Sequence, residues 1–172
     1  MKKNWVLKAG VLVAAFGVVG AANAQTNGPS GISARIGVFF PTDDLARDLG
    51  STWFAFGGDY KLNKIGVNSP NAETLSYLSI SADYYEKDDL RSIPIALNYN
   101  VRSGQIVYSA GIGVDFVRTF SDNTTGLGGQ LGIAYEFSNA NSPNNPFFVQ
   151  AKYFFSSKSD LNGFGVYAGY RF

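Results

Sequence analysis

The sequence predicts an all-β protein, an eight-stranded antiparallel up-and-down barrel. Eight runs of about ten residues alternate apolar and non-apolar side chains, and the period of two is that of a strand with two different faces. Clusters of Asn, Asp, Ser, Gly and Pro separate the runs, as turns between antiparallel strands require. None of the eight apolar faces contains a charge, and no segment sustains a helical period.

The first run, ISARIGVFF, aligns Ile32, Ala34, Ile36, Val38 and Phe40. TWFAFGGDYKL aligns Phe54, Phe56, Gly58, Tyr60 and Leu62, and TLSYLSISADYY aligns Leu78, Ile80, Ala82 and Tyr84. The fourth, SIPIALNYNVR, offers Ile93, Ile95, Leu97, Tyr99 and Val101; the fifth, QIVYSAGIGVDFV, offers Ile106, Tyr108, Ala110, Ile112, Val114 and Phe116. GLGGQLGIAYEF supplies Leu127, Leu131, Ile133, Tyr135 and Phe137, and PFFVQAKYFFS supplies Phe147, Val149, Ala151, Tyr153 and Phe155. NGFGVYAGYRF closes the series with Phe164, Val166, Ala168, Tyr170 and Phe172, and its pairing with the first strand would remove the free edge of each.

Ahead of the strands stands MKKNWVLKAGVLVAAFGVVGAANAQ. Three lysines, an uncharged and largely apolar stretch from Ala9 to Ala22, and the small-residue site Ala22-Asn23-Ala24 have the layout of a secretory signal peptide. The apolar stretch is shorter than the roughly 20 residues a spanning helix needs. Residues 1–24 are therefore expected to be a cleaved signal and 25–172 a barrel domain. Removing the signal takes away three of the 14 basic side chains and none of the 13 acidic ones, which leaves a net charge of −2. That balance gives no electrostatic footprint for nucleic acid. The chain has no cysteine, hence no disulfide or thiolate metal site, and no histidine, the commonest general base and metal ligand.

The faces opposite the apolar ones are small and sparsely polar: Gly37, Gly57, Ser79, Ser81, Ala96, Ser109, Gly111, Gly132 and Gly169 are typical. To these each strand adds about one charge, namely Arg35, Asp59, Lys61, Asp83, Arg102, Asp115, Glu136, Lys152 and Arg171. A water-facing surface would be about a quarter to a third charged. A face of glycine, alanine and serine instead suits the narrow interior of an eight-stranded barrel, where the charges must find partners. The apolar faces place aromatics toward the strand ends, with Phe40, Phe54, Tyr84, Phe116, Phe155 and Phe164 near one rim and Tyr60, Tyr99, Tyr108, Phe137, Phe147, Tyr170 and Phe172 near the other. Aliphatic residues fill the middle, the pattern of a lipid-facing band between two interfacial girdles. The barrel is therefore expected to be transmembrane, with the nine charges as a lumen network.

The most specific stretch is FGVYAGYRF, which ends on Phe172 with Tyr170 two positions before it. On these residues the chain resembles the small eight-stranded outer-membrane barrels of the OmpA/OmpX type, over about 32–172. The resemblance implies a protein of the cell outer membrane in contact with its lipid and lipopolysaccharide. It also implies handling by periplasmic chaperones and a barrel-assembly machinery that reads Tyr170 and Phe172 as a C-terminal signal. The family commonly has a glycine five residues before the end, where this chain has Tyr167 between Gly165 and Gly169.

With the N-terminus periplasmic, PTDDLARDLGS, EKDDLR, RTFSDNTTG and SSKSDLN are expected to face outward, and NKIGVNSPNAE, SG and SNANSPNN the periplasm. The acids of DDLARD and EKDD are hard-cation ligands by type but lack the glycine-turned spacing of a calcium loop, so they read as solvated loop charges. The Asn123 triplet NTT matches a glycosylation sequon, a weak signal. The glycines of GLGG precede no helix and so cradle no phosphate. Lipid A hydrolases and acyltransferases resemble this chain in architecture, yet their chemistry relies on a histidine with a serine. The expectation is a monomeric, non-enzymatic barrel without cofactor or metal, serving a structural or interaction role in the envelope. Its alternatives are a narrow channel or small hydrophobic-solute conduit, and a soluble periplasmic lipocalin-like carrier.

Overall fold

The computed structural model describes residues 31–62, 74–119, 122–137, 146–157 and 161–172. The expected signal, 1–24, and the expected turns 63–73 and 138–145 lie outside them. Strands β1 (Ile32–Pro41), β2 (Trp53–Leu62), β3 (Thr74–Lys87), β4 (Leu90–Ser103), β5 (Ile106–Arg118), β6 (Asn123–Glu136), β7 (Phe147–Ser156) and β8 (Gly163–Arg171) follow the eight alternating runs. Each pairs with its sequence neighbour, and β1 pairs antiparallel with β8 from Ser33 opposite Arg171 to Pro41 opposite Gly163, which closes the ring. The fold is a closed eight-stranded antiparallel up-and-down barrel.

Connections at one end are short. Asp88-Asp89 joins β3 to β4, with Asp88 at φ +53°, and at the other end Gly104-Gln105 joins β4 to β5, with Gly104 at φ +59°. Both take the left-handed conformation that Gly adopts freely and Asp tolerates. Two features depart from expectation. Within PTDDLARDLGS the segment Asp44–Asp48 forms a single-turn helix, α1, capped by the Asp43 carboxylate, which accepts from Leu45 N–H at 3.0 Å. A helix this short has no periodicity for a sequence pattern to show. The second departure is β6, which begins at Asn123, so the NTT triplet is strand, paired with Phe116–Arg118.

Pro94 interrupts one ladder. Pairing of β3 with β4 runs to Ala82 opposite Ile95 and resumes at Tyr85 opposite Ser92, whereas β4 and β5 stay paired through Pro94 and Asp115. Proline has no N–H to give, so only one of its two flanks can remain regular.

The apolar faces point outward. Ile36, Leu97, Ile112, Leu127, Leu131, Ile133 and Val166 are exposed, Ile112 and Leu127 to 75%. Along this surface the aromatics contact one another in pairs: Phe56 with Tyr84 at 4.9 Å, Tyr153 with Phe164 at 4.6 Å, Phe147 with Tyr170 at 5.3 Å and Tyr170 with Phe172 at 5.1 Å between centroids. Arg35, Asp83, Asp115, Glu136 and Lys152 are buried inside. Hydrophobic exterior and charged interior invert the arrangement of a water-soluble barrel.

The inner face is bulkier than the expected run of small residues. Phe39, Trp53, Tyr85, Phe154 and Tyr167 also point inward and are buried, and with Leu90, Val117, Ala46 of α1 and Leu161 they form a single apolar cluster. Phe39 stacks on Tyr85 at 3.9 Å, and Trp53 and Phe154 pack at the edges. Trp53 Nε1 donates to Gly50 O and the Tyr85 hydroxyl donates to Leu161 O, so these two ring groups of the plug are satisfied by loop carbonyls, whereas the buried Tyr167 hydroxyl has no hydrogen-bond partner among the described residues. The plug seals the end of the barrel that carries α1 and Asp88-Asp89.

Candidate functional site

The lumen below the plug is where this chain concentrates its polar chemistry. Its central feature is a row of four positions across neighbouring strands: Gly169 of β8 opposite Arg35 of β1, Arg35 opposite Gly57 of β2, and Gly57 opposite Asp83 of β3. Glycines on both sides of Arg35 leave room for its guanidinium to lie across the sheet. A Cβ at Gly57 would overlap the Asp83 carboxylate, and one at Gly169 would enter the Phe148 ring. Arg35 thereby reaches Asp83, with Nη2 at 2.6 Å and Nε donating at 2.8 Å to Oδ1, and pairs also with Asp59.

Lys152 of β7 completes this cluster from the far wall, four strands away around the ring, with Nζ 2.7 Å from Asp83 Oδ2. The Asp83 side chain is fully buried, as is that of Arg35, so each charge depends on its partners instead of on water. Arg35 also lies over the Tyr167 ring and Lys152 over the Phe154 ring, which joins the ion cluster to the underside of the plug.

Toward the end that holds Ile32 and Phe172 a second cluster links alternate strands. Glu136 of β6 pairs with Arg102 of β4 at 3.0 Å and with Arg171 of β8 at 2.5 Å. Between the clusters runs a neutral network. Asn98 Nδ2 donates to Ser81 Oγ at 3.0 Å, Gln130 Nε2 donates to the same hydroxyl at 2.7 Å and to the Asn98 amide oxygen, and Asn100 Nδ2 donates to Ser79 Oγ at 2.9 Å. Asn98→Ala removes a donor and an acceptor from buried partners and is expected to lower stability by about 1–3 kcal/mol, measured by urea unfolding of the detergent-folded protein.

Seven of the nine charges singled out in the sequence thus form two ion clusters, Arg35/Asp59/Asp83/Lys152 and Arg102/Glu136/Arg171. The other two are placed differently. Asp115 sits on the loop side and accepts from Ser92 Oγ at 2.5 Å, with no cation within ion-pair distance among the described residues. Lys61 holds its ammonium over the Tyr77 ring at 4.5 Å. Tyr170 and Phe172 lie in contact at the rim of β8, and the Phe172 N–H donates to Ile32 O.

Alternation in NGFGVYAGYRF already turns Tyr167 inward, but periodicity alone left the other inward aromatics unnoticed, although doublets announce them. Phe39-Phe40, Trp53-Phe54, Tyr84-Tyr85, Phe147-Phe148 and Phe154-Phe155 each send one ring out and the next one in, as adjacent strand residues must.

A cavity of about 220 Å³ occupies the lumen between the two ion clusters and the barrel end. Asp59, Lys61, Arg102, Gln130, Glu136 and Arg171 are among its lining residues. Exposure falls from 34% and 32% for the Arg102 and Arg171 side chains to 2% for Lys152 and none for Asp83, so the cavity meets solvent at the termini and ends blindly at the central cluster.

These features define a class: a closed eight-stranded antiparallel barrel with an apolar outer belt, ion clusters inside, one plugged end and one open polar vestibule. No family model matches the chain, and no curated protein matches it. Among solved structures it is similar to the Yersinia pestis outer membrane protein Ail in a phospholipid bilayer nanodisc, with a TM-score of 0.49 and 16% identity over 85% of this chain and 100% of that one. It is also similar to the outer membrane enzyme PagL, with a TM-score of 0.48 and 16% identity over 82% and 99% of the two chains.

Proposed function

We propose that this chain is an integral outer-membrane barrel, exported through a cleaved signal, that acts as a monomeric, non-enzymatic structural or interaction element of the cell envelope. One observation carries the reading: the exposed apolar belt surrounds an interior of buried ion pairs. In water the belt would be a large unfavourable surface, while in hydrocarbon it matches its solvent and closure leaves no strand edge unpaired. Outer-membrane lipid and lipopolysaccharide are then its natural surroundings, with periplasmic chaperones and the barrel-assembly machinery as transient partners during export.

The plug of Phe39, Trp53, Tyr85 and Phe154 supports a closed lumen over a conducting one, because these rings fill the cross-section at the loop end. The outward apolar face supports membrane residence over a lipocalin-like carrier, whose apolar face would line the cavity. Absence of histidine from the sequence disfavours acid–base catalysis at neutral pH.

Cell fractionation tests the reading. The protein is expected in the outer-membrane fraction, extractable only with detergent, and to migrate differently on gels with and without boiling. Deleting Phe172 in parallel is expected to reduce assembly while export continues. Recovery of the intact protein in the soluble periplasmic fraction would overturn the membrane assignment, and unaltered assembly of the deletion would remove the terminal-signal role.

A further inference from the structure

The vestibule carries an imbalance that its structural role does not require. Among the described residues, the half of the lumen below the plug holds five cations, Arg35, Lys61, Arg102, Lys152 and Arg171, against three carboxylates, Asp59, Asp83 and Glu136. A net charge of +2 is therefore confined within a barrel wall whose outer face is apolar, where low-dielectric surroundings concentrate the field in the cleft. Two arginines converge on the single Glu136 carboxylate, and Lys61, which also lines the cavity, holds its ammonium over the Tyr77 ring and makes no close ion pair among the described residues.

A second observation concerns hydrogen bonding. Gln130 is 2% exposed and lines the same cavity, and its Oε1 has no hydrogen-bond partner among the described residues, whereas its Nε2 is used twice. A buried acceptor of this kind is costly unless something donates to it. A cavity of about 220 Å³ accommodates a small solute with its water.

We infer that the vestibule is a binding site for a small soluble phosphate-class oxyanion, inorganic hydrogen phosphate or a compact phosphomonoester. Such a ligand brings the dianionic charge that the cation excess calls for, oxygens suited to the Arg102 and Arg171 guanidinium forks, and, when singly protonated, a hydroxyl able to donate to an amide oxygen such as Gln130 Oε1. The blind end at Asp83, Arg35 and Lys152 makes the vestibule a site of residence, not a passage. The continuous strand wall excludes a phosphate that is tethered to acyl chains in the surrounding lipid.

The test uses the full mature chain folded in zwitterionic detergent, titrated with inorganic phosphate by calorimetry at constant ionic strength. Saturable binding at one site per chain is expected. Lys61→Met is expected to weaken it by about tenfold or more, the loss of one charge-assisted contact. Glu136→Gln is expected to strengthen it by about tenfold or more, because the competing carboxylate is removed while the two arginines remain. Lys87→Met, at the opposite end, is expected to leave it unchanged. Heat-dependent gel mobility verifies that each variant is folded; should Glu136→Gln not fold, Lys61→Met against Lys87→Met decides. Competition by a water-soluble phosphomonoester, and none by anionic phospholipid doped into the micelle, supports the soluble source; competition by the phospholipid alone overturns it. Absent binding, equal binding by the Lys61 and Lys87 variants, or weaker binding by a folded Glu136→Gln protein overturns the site.

Discussion

Asp83→Asn is expected to destabilise the folded barrel by about 3–5 kcal/mol, the cost of removing one member of a buried ionic cluster and leaving its partners uncompensated. Among the described residues Asp83 is the only carboxylate that meets both Arg35, at 2.6 Å, and Lys152, at 2.7 Å. Without its charge, Lys152 loses its counter-ion and Arg35 retains only Asp59. The measurement is urea unfolding of the protein in lipid vesicles, read by the loss of the heat-modifiable gel form. A companion variant separates charge from packing. Lys152→Met in the Asp83→Asn background removes the stranded ammonium, so the double variant is expected to be more stable than Asp83→Asn alone by at least about 1 kcal/mol. A loss below about 1 kcal/mol for the single variant would show that the cluster is hydrated and that its geometry does not hold β1, β3 and β7 together.

That cluster shows where a sequence stops being legible. The alternation in ISARIGVFF or NGFGVYAGYRF determines which residues share a face, because a strand has a period of two and any one-residue slip would expose Arg35 and bury Ile36. The strand positions were readable for this reason. Height within the lumen is a different quantity: it depends on the stagger between strands, which is set by pairing around the whole ring. Arg35 and Asp83 are 48 residues apart and share a level only because Gly57 stands between them in the register. Lys152 meets Asp83 because β7 and β3 lie on opposite walls. Nothing local in SISADYY or QAKYFFS announces such a meeting. Asp115 makes the same point from the other side, since parity alone groups it with the paired charges while its height puts it beside Ser92.

The aromatic plug escaped notice for a related reason. Sorting residues by face gives weight to the apolar set that repeats, and an isolated inward Phe39 or Trp53 among glycines and serines looks like an irregularity. In three dimensions these irregularities come from five strands and gather at one height, with Ala46 of α1 and Leu161 added from the loops. The loop contributions carry no period at all. Only the doublets, one ring facing out and the next in, hinted that the same strand ends supply both an outer aromatic rim and an inner seal.

Ile112→Arg is expected to cost about 2–4 kcal/mol when the protein is folded in lipid vesicles, the range for an arginine at the bilayer midplane of a barrel's outer face. Ile112 is the central residue of β5, is 75% exposed, and sits level with Leu97 and Gly129 on the neighbouring strands, so its side chain has no protein surface in which to hide a charge. Tyr108→Arg, two pleat repeats nearer the rim, is expected to cost about 0–1 kcal/mol, the range near the interface. The contrast between the two is the informative quantity, because a water-exposed surface has no depth: in a soluble barrel both arginines would be tolerated alike, and Ile112→Arg would improve solubility by removing an exposed aliphatic side chain. Equal stability of the two variants in vesicles would therefore refute the lipid-facing belt, whereas a steep difference with depth is what a hydrocarbon solvent imposes on a face whose eight alternating runs carry no charge.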